Sequence, residues 1–223
     1  MQVVYHAHSG FSVRTDKRLL IFDYLGEGLN APEKEERAIA FVSHSHGDHF
    51  HPSVIEWMKE GRVQLVTGDD VQAGGLCMAE GDRAEIDGAE IEAFGSTDQG
   101  VSFLIHADGV SIFHAGDLNF WHWKNESDDE YVREAEEAFE RVMNTLKGRR
   151  VDLAFFPVDP RMGEGYEVVA LRFIEYMKPA HFVPMHFWQQ PEAALEMKEK
   201  ELPAGVELHV LTAPGDEFEL NIP

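Results

Sequence analysis

The chain has 223 residues, 43% hydrophobic and 27% charged, an ordinary globular composition whose length suits one domain, 1–223, burying roughly three-quarters of its unfolded surface. Its formal net charge of −22, uncompensated by any Lys/Arg cluster, repels phosphate backbones and argues against nucleic acid as a partner. No apolar run reaches membrane-span length, no basic-then-apolar leader appears at Met1-Gln2-Val3-Val4-Tyr5-His6, and Cys77 is the only cysteine, so the expectation is a cytoplasmic protein with no membrane partner and no internal disulfide.

Gln2–Tyr5, Phe11–Arg14 and Leu19–Asp23 read as short strands linked by turns. Ala38–Val42 and Val63–Val66 flank a helix at Pro52–Glu60, with Pro52 suited to the first helical turn. Glu90–Phe94, Val101–His106 and Val110–Phe113 form a second run of strands, with Asp108-Gly109 as a hairpin turn. Ser127-Asp128-Asp129-Glu130 reads as a capping box opening a helix with an apolar stripe at Val132, Ala135, Phe139, Val142, Met143 and Leu146. Val151–Phe156 is a continuous apolar strand and Tyr166–Met177 a helix ending before Pro179. His181–Pro184, Val206–Leu211 and Glu217–Leu220 are expected to close the second sheet. The acidic runs at Glu33–Glu36 and Asp128–Glu140 read as solvated faces.

The densest chemistry lies in Ser43-His44-Ser45-His46-Gly47-Asp48-His49-Phe50-His51, directly after the apolar run Ala38–Val42. The histidines sit where a buried strand becomes a loop, a usual place for catalytic groups. Imidazole and carboxylate together suit zinc, manganese or iron, and the absence of thiolate argues against a closed structural zinc site. Residues two apart in extended chain point the same way, so His44 and His46 can share one metal while Asp48 and His49 face a second position.

These residues match His-x-His-x-Asp-His, and the chain resembles the metallo-β-lactamase superfamily. Phe113-His114-Ala115-Gly116-Asp117 resembles that family's Gly-Asp motif, and Pro184-Met185-His186 resembles its last ligand; His49, Asp117 and His186 are 68 and 69 residues apart. The resemblance implies an α/β fold, a four-layer αββα sandwich of two mixed β-sheets flanked by helices. It implies a centre holding one or two ions, zinc first and manganese or iron as alternatives, on His44, His46, Asp48, His49, Asp117 and His186. Where the family carries a further histidine, this chain has Ser96. Three outcomes stay open: Asp98, His8 or His122 completes the first site; one metal sits mainly in the second; or hydrolytic chemistry is lost.

Asp23, ending the strand Leu19–Phe22, matches a family aspartate that orients a ligand. His8, in Ala7-His8-Ser9-Gly10-Phe11, resembles a segment of lactonase-like members. His114 reads as a packed strand histidine and His106 as a hairpin-surface one. Phe120-Trp121-His122-Trp123 is a candidate substrate wall, and Arg161 a candidate partner for an anionic group. A metal held this way lowers the pKa of its water from ~15.7 towards ~7, and Asp48 can accept the proton. The expected function is a metal-dependent hydrolase using a metal-bound hydroxide on a small-molecule ester, lactone or phosphodiester. The alternatives are a non-catalytic metal-binding or ligand-sensing protein, an iron redox enzyme disfavoured by His46 where such relatives carry glutamate, and a nuclease disfavoured by the acidic charge.

Overall fold

Alternation of side chains along the strands decides how the layers stack. The computed structural model describes residues 1–122 and 127–221, and these form two seven-stranded sheets. The first has the order β14 (Glu217–Glu219), β1 (Gln2–Ala7), β2 (Gly10–Arg14), β3 (Leu19–Phe22), β4 (Ala38–Val42), β5 (Gln64–Gly68), β6 (Leu76–Met78). The second has the order β13 (Glu207–Leu208), β12 (His181–Met185), β11 (Leu153–Pro157), β10 (Val110–His114), β9 (Val101–Ala107), β8 (Ala89–Gly95), β7 (Arg83–Ile86). Both are mixed: β3 to β6 and β10 to β13 run parallel to their neighbours, and the remaining pairs are antiparallel.

In β3, Leu20 and Phe22 enter the core between the sheets, whereas Leu19 and Ile21 face Val54 and Trp57 of α1 (Ser53–Lys59). β4 divides the same way, Ile39 and Phe41 inward and Ala38, Ala40 and Val42 outward. A strand apolar on both faces must be covered on both, which is why Ala38–Val42 is a continuous hydrophobic run. Between the sheets Phe11 stacks on Phe155 at 4.2 Å and Phe41 meets Phe103 at 5.5 Å. On the far side Phe173 of α3 (Val168–Met177) stacks on Phe156 at 4.5 Å, and Phe139 of α2 (Asp129–Thr145) lies edge-on to Phe156. The layers are therefore helix, sheet, sheet, helix, as expected.

Several local expectations shift. Glu217–Leu220 belongs to the first sheet, not the second: β14 pairs with β1, with Gln2 opposite Glu219, and covers what would otherwise be an open edge. The strand read at Val206–Leu211 shortens to Glu207–Leu208. The cap of α2 is Asp128, whose Oδ1 accepts from the Tyr131 amide at 2.8 Å, one residue beyond Ser127. Pro52 is the N-cap of α1, and α3 starts at Val168 rather than Tyr166. Strands β6 and β7 and helix α4 (Pro191–Glu196) were not legible, being three to six residues long. Asp108 and Gly109 form the hairpin turn, both with positive φ. Among the described residues no helix is long and apolar enough to cross a membrane.

Candidate metal centre

Parallel strands with apolar faces leave their C-terminal ends at one rim of the sandwich, and the polar loops gather there. β4 delivers His44, His46, Asp48 and His49, β10 delivers Asp117, β12 delivers His186, and β3 delivers Asp23. His8 sits at the tip of the β1–β2 hairpin. Of the eight non-glycine residues with positive φ among the described residues, His8, Asp23, Trp121, His186 and Trp188 lie around this rim. Each costs about 1–3 kcal/mol, so the surrounding packing holds this geometry against local preference. Gly100 and Gly116 let two neighbouring loops close on the histidine loop: a Cβ would stand 2.1 Å from the Ser43 carbonyl oxygen at the first and 2.9 Å from Ser43 Cβ at the second.

Hydrogen bonds fix which nitrogen of each ring faces inward. Fully buried Asp23 accepts from the Ser43 amide and hydroxyl, both at 2.7 Å. With its one hydrogen spent on Asp23, the Ser43 hydroxyl accepts from His44 Nδ1 at 2.9 Å. Asp23 Oδ2 also takes His49 Nδ1–H at 2.7 Å, and Asp159 Oδ2 takes His186 Nδ1–H at 3.0 Å. In all three rings Nε2 is left to face the centre, where metal ligation uses its lone pair once any proton there is displaced.

Those inward atoms converge. His49 Nε2 and His186 Nε2 each lie 3.0 Å from Asp117 Oδ1, and His44 Nε2 lies 3.5 Å from Asp117 Oδ2. The His49, His186 and Asp117 Oδ1 atoms are buried without a hydrogen-bond partner, as are both ring nitrogens of His8. Buried polar atoms are rarely left orphaned, so three orphans facing one another fit a divalent ion. Ligand atoms of His8, Asp48, His49 and His186 fall within 4.8 Å of one another, and so do those of His44, His46 and Asp117. Asp117 thus presents one oxygen to each group.

The two groups are unequal. The first has two imidazoles and no third histidine. Ser96 Oγ accepts the Asp98 amide at 3.3 Å, and Asp98 Oδ2 lies 3.8 Å from His46 Nδ1. Asp98 thus stands beside His46 as the candidate to complete this group. Asp98→Ala should lower metal affinity at His44/His46, and Ser96→His should raise it. Metal titration of the two variants checks both; equal, tight sites that ignore both changes would contradict the asymmetry.

Other expected residues disperse. His8 joins the second group, 3.5 Å from Asp48 and ring-to-ring at 3.9 Å with His186, so it does not complete the first. His122 completes neither. The left-handed turn at Trp121 sends it to stack on Phe120 at 5.5 Å, away from the ligands. Trp123 lies outside the described residues. His114 is packed in its strand, bonded to the Ser9 carbonyl at 2.8 Å, and His106 is exposed. Trp121, Tyr131 and Arg161 line a 390 Å³ cleft over His46, Asp48, Asp117 and His186, beside Thr97 and Asp98. Sequence reasoning missed two positioning residues, Ser43 and Asp159; Trp188, which with Phe187 reads from sequence as a candidate wall after His186, packs on His8 at 4.6 Å. Asp159 had a signal, since it follows an apolar strand as Asp23 does.

Electrostatics couple the centre to protons. Burial disfavours charge on His49, but the Asp23 and Asp117 carboxylates outweigh it and push its pKa up to about 10. His186 is raised likewise against burial by Asp117 and Asp159. His44 moves the other way, lowered chiefly by burial. Without metal the His49 ring therefore holds its proton at neutral pH, and a metal must displace it. Apparent affinity should rise with pH up to about 10, where His49 loses its own proton. Calorimetry at neutral pH in two buffers of different ionisation enthalpy should show at least one proton released per metal; zero release would contradict this.

A family model described as the beta-lactamase superfamily domain matches residues 2–130, the stretch from β1 through the histidine loop and Asp117. The UPF0173 metal-dependent hydrolase of Thermococcus kodakarensis is 26% identical over 245 residues, covering 99% of this chain and 100% of the relative. That of Heliobacterium modesticaldum is 28% identical, covering 99% and 98%. Among solved structures, Igni18, a metallo hydrolase from Ignicoccus hospitalis, aligns over 99% of both chains with a TM-score of 0.65 at 21% identity. A putative metal-dependent hydrolase from Parabacteroides distasonis aligns over 93% of this chain and 90% of its own, with a TM-score of 0.64 at 18% identity. These two share the fold. With its model match spanning more than half the residues, this chain belongs to the metallo-β-lactamase superfamily.

Proposed function

We propose that this protein is a metal-dependent hydrolase of a small-molecule ester, lactone or phosphodiester, with zinc as its metal. The observation that carries the reading is the set of buried, unpartnered ligand atoms on His49, Asp117 and His186, of which Asp117 and His186 line the cleft. The full-length relatives named metal-dependent hydrolase support the same class. A metal bound there would acidify a water and polarise the scissile carbonyl or phosphoryl group.

The chain's own residues set the rest. Asp23 and Asp159 hold the rings of His49 and His186. Asp48, 31% exposed, is held below the usual carboxylate range by the adjacent His8 ring, against burial. It stays anionic at every working pH, available to bind metal or to take a proton from a water in the cleft. Trp121 is pinned by its Nε1–H to the Asp117 carbonyl at 2.6 Å and gives the cleft a rigid apolar wall. Arg161 is the one Lys or Arg among the described cleft-lining residues. Its Nε and Nη2 engage Asp159, and its guanidinium lies 4.4 Å from the Trp188 ring. Its Nη1, not engaged by Asp159, would be available to an anionic group on the substrate, a carboxylate or phosphodiester. The cleft's carboxylates, in a chain of net charge −22, favour a small molecule over nucleic acid.

A second reading, a non-catalytic metal or ligand sensor, draws on the absent third imidazole in the His44/His46 group. A panel of lactones, esters and phosphodiesters, assayed on metal-loaded and metal-stripped protein, separates the two. Hydrolysis that disappears with the metal and returns on reloading supports the hydrolase; silence across the panel with metal bound sinks it.

A further inference from the structure

A third group of ligating side chains lies far from the cleft, at the opposite end of β12. His181 opens that strand and His186 follows its end, five residues on, so about 16 Å of extended chain separates them. In the neighbouring parallel strand, Glu207 is register-paired with His181. His209 follows Glu207 by two residues, so its side chain falls on the same face. The three offer ligand atoms within 4.8 Å of one another. His181 Nδ1 lies 3.0 Å from His209 Nε2 and 3.4 Å from Glu207 Oε2, and His209 Nε2 lies 3.9 Å from Glu207 Oε1.

We propose that His181, Glu207 and His209 form a second, surface zinc site that clips the edge of the second sheet. Ligand atoms around a tetrahedral zinc with bonds of ~2.0–2.1 Å stand ~3.3 Å apart. The three measured separations straddle that value, so small side-chain rotations close the set. Two imidazoles and one carboxylate favour zinc over magnesium or calcium, and three protein ligands leave a fourth position for water.

The rings are already placed. His209 stacks on Phe218 of β14 at 4.0 Å with the planes 4° apart, which fixes its orientation. Its backbone amide donates to the Phe182 carbonyl at 2.9 Å, and the Glu207 amide to Ala180 at 2.9 Å. His181 and His209 are 19% and 13% exposed, while Glu207, at 65%, is free to swing over the metal. Since β13 is only two residues long, a metal here would tie that short edge strand to β12. The site is independent of the catalytic reading, because it shares no residue with the cleft.

The test uses the full chain with its cleft centre already loaded and excess metal removed. Zinc is then titrated by calorimetry, with cobalt(II) as an absorbing substitute and thermal unfolding as the stability readout. Wild type should take up one further equivalent, and Tm should rise with zinc because zinc binds only the folded state. His181→Asn and His209→Asn should abolish both effects. Glu207→Gln, at an exposed position that folding does not depend on, should weaken the extra site ~10-fold or more. An extra equivalent unchanged in Glu207→Gln, or no uptake beyond the loaded cleft, would overturn the proposal.

Discussion

Asp23→Ala should be the most disruptive single change at the centre. Asp23 has no exposed surface and accepts three hydrogen bonds, from the Ser43 amide, the Ser43 hydroxyl and His49 Nδ1. Truncation leaves three buried donors without an acceptor, at about 1–3 kcal/mol each. Partial relaxation makes a net loss of ~3–5 kcal/mol reasonable, a large share of the ~5–15 kcal/mol that a domain of this kind has. The tautomers of His44 and His49 are released at the same time, which should weaken metal binding ~10–100-fold. Asp23→Asn keeps an acceptor oxygen and should fall between. Thermal unfolding with metal titration reads both effects, and an alanine variant equal to wild type in both would show that Asp23 orients nothing.

Asp48→Asn should leave the fold intact and remove activity. The side chain is partly exposed at the cleft and, among the described residues, bonds no backbone partner outside its own residue, so stability should change little. The charge it loses is the one available to hold metal or receive the water's proton. Removing such a proton acceptor typically lowers the rate ~10²–10⁴-fold. Once a substrate is found, wild type and variant are compared by kcat at equal metal occupancy. Full activity in Asp48→Asn would reassign the proton acceptor, with His8, 3.5 Å away, the next group to substitute.

The order of layers and the ligand loops were legible because each rests on a local pattern. Ala38–Val42 announces a strand buried on both faces, and the imidazoles that follow it leave little choice of chemistry. What could not be read locally was long-range. Nothing in Glu217–Glu219 says that it pairs with the first strand, 215 residues earlier at Gln2, rather than with its sequence neighbours. The position of His122 depended on one left-handed residue, Trp121, which no propensity favours. Asp159 follows an apolar strand, but its role was long-range: its partner, His186, lies 27 residues away and meets it through the parallel pairing of β11 with β12. The His181–Glu207–His209 group needed that register as well.

His49, Asp117 and His186, joined by His44, His46 and Asp48, are the proposed holders of a divalent metal. Elemental analysis of full-length protein, purified without chelator and desalted, tests it most directly when wild type is run beside Asp117→Ala. Wild type should carry at least ~0.7 metal per chain, zinc above all, and the variant far less. A folded wild-type protein that carries no metal and refuses added zinc or manganese would contradict it.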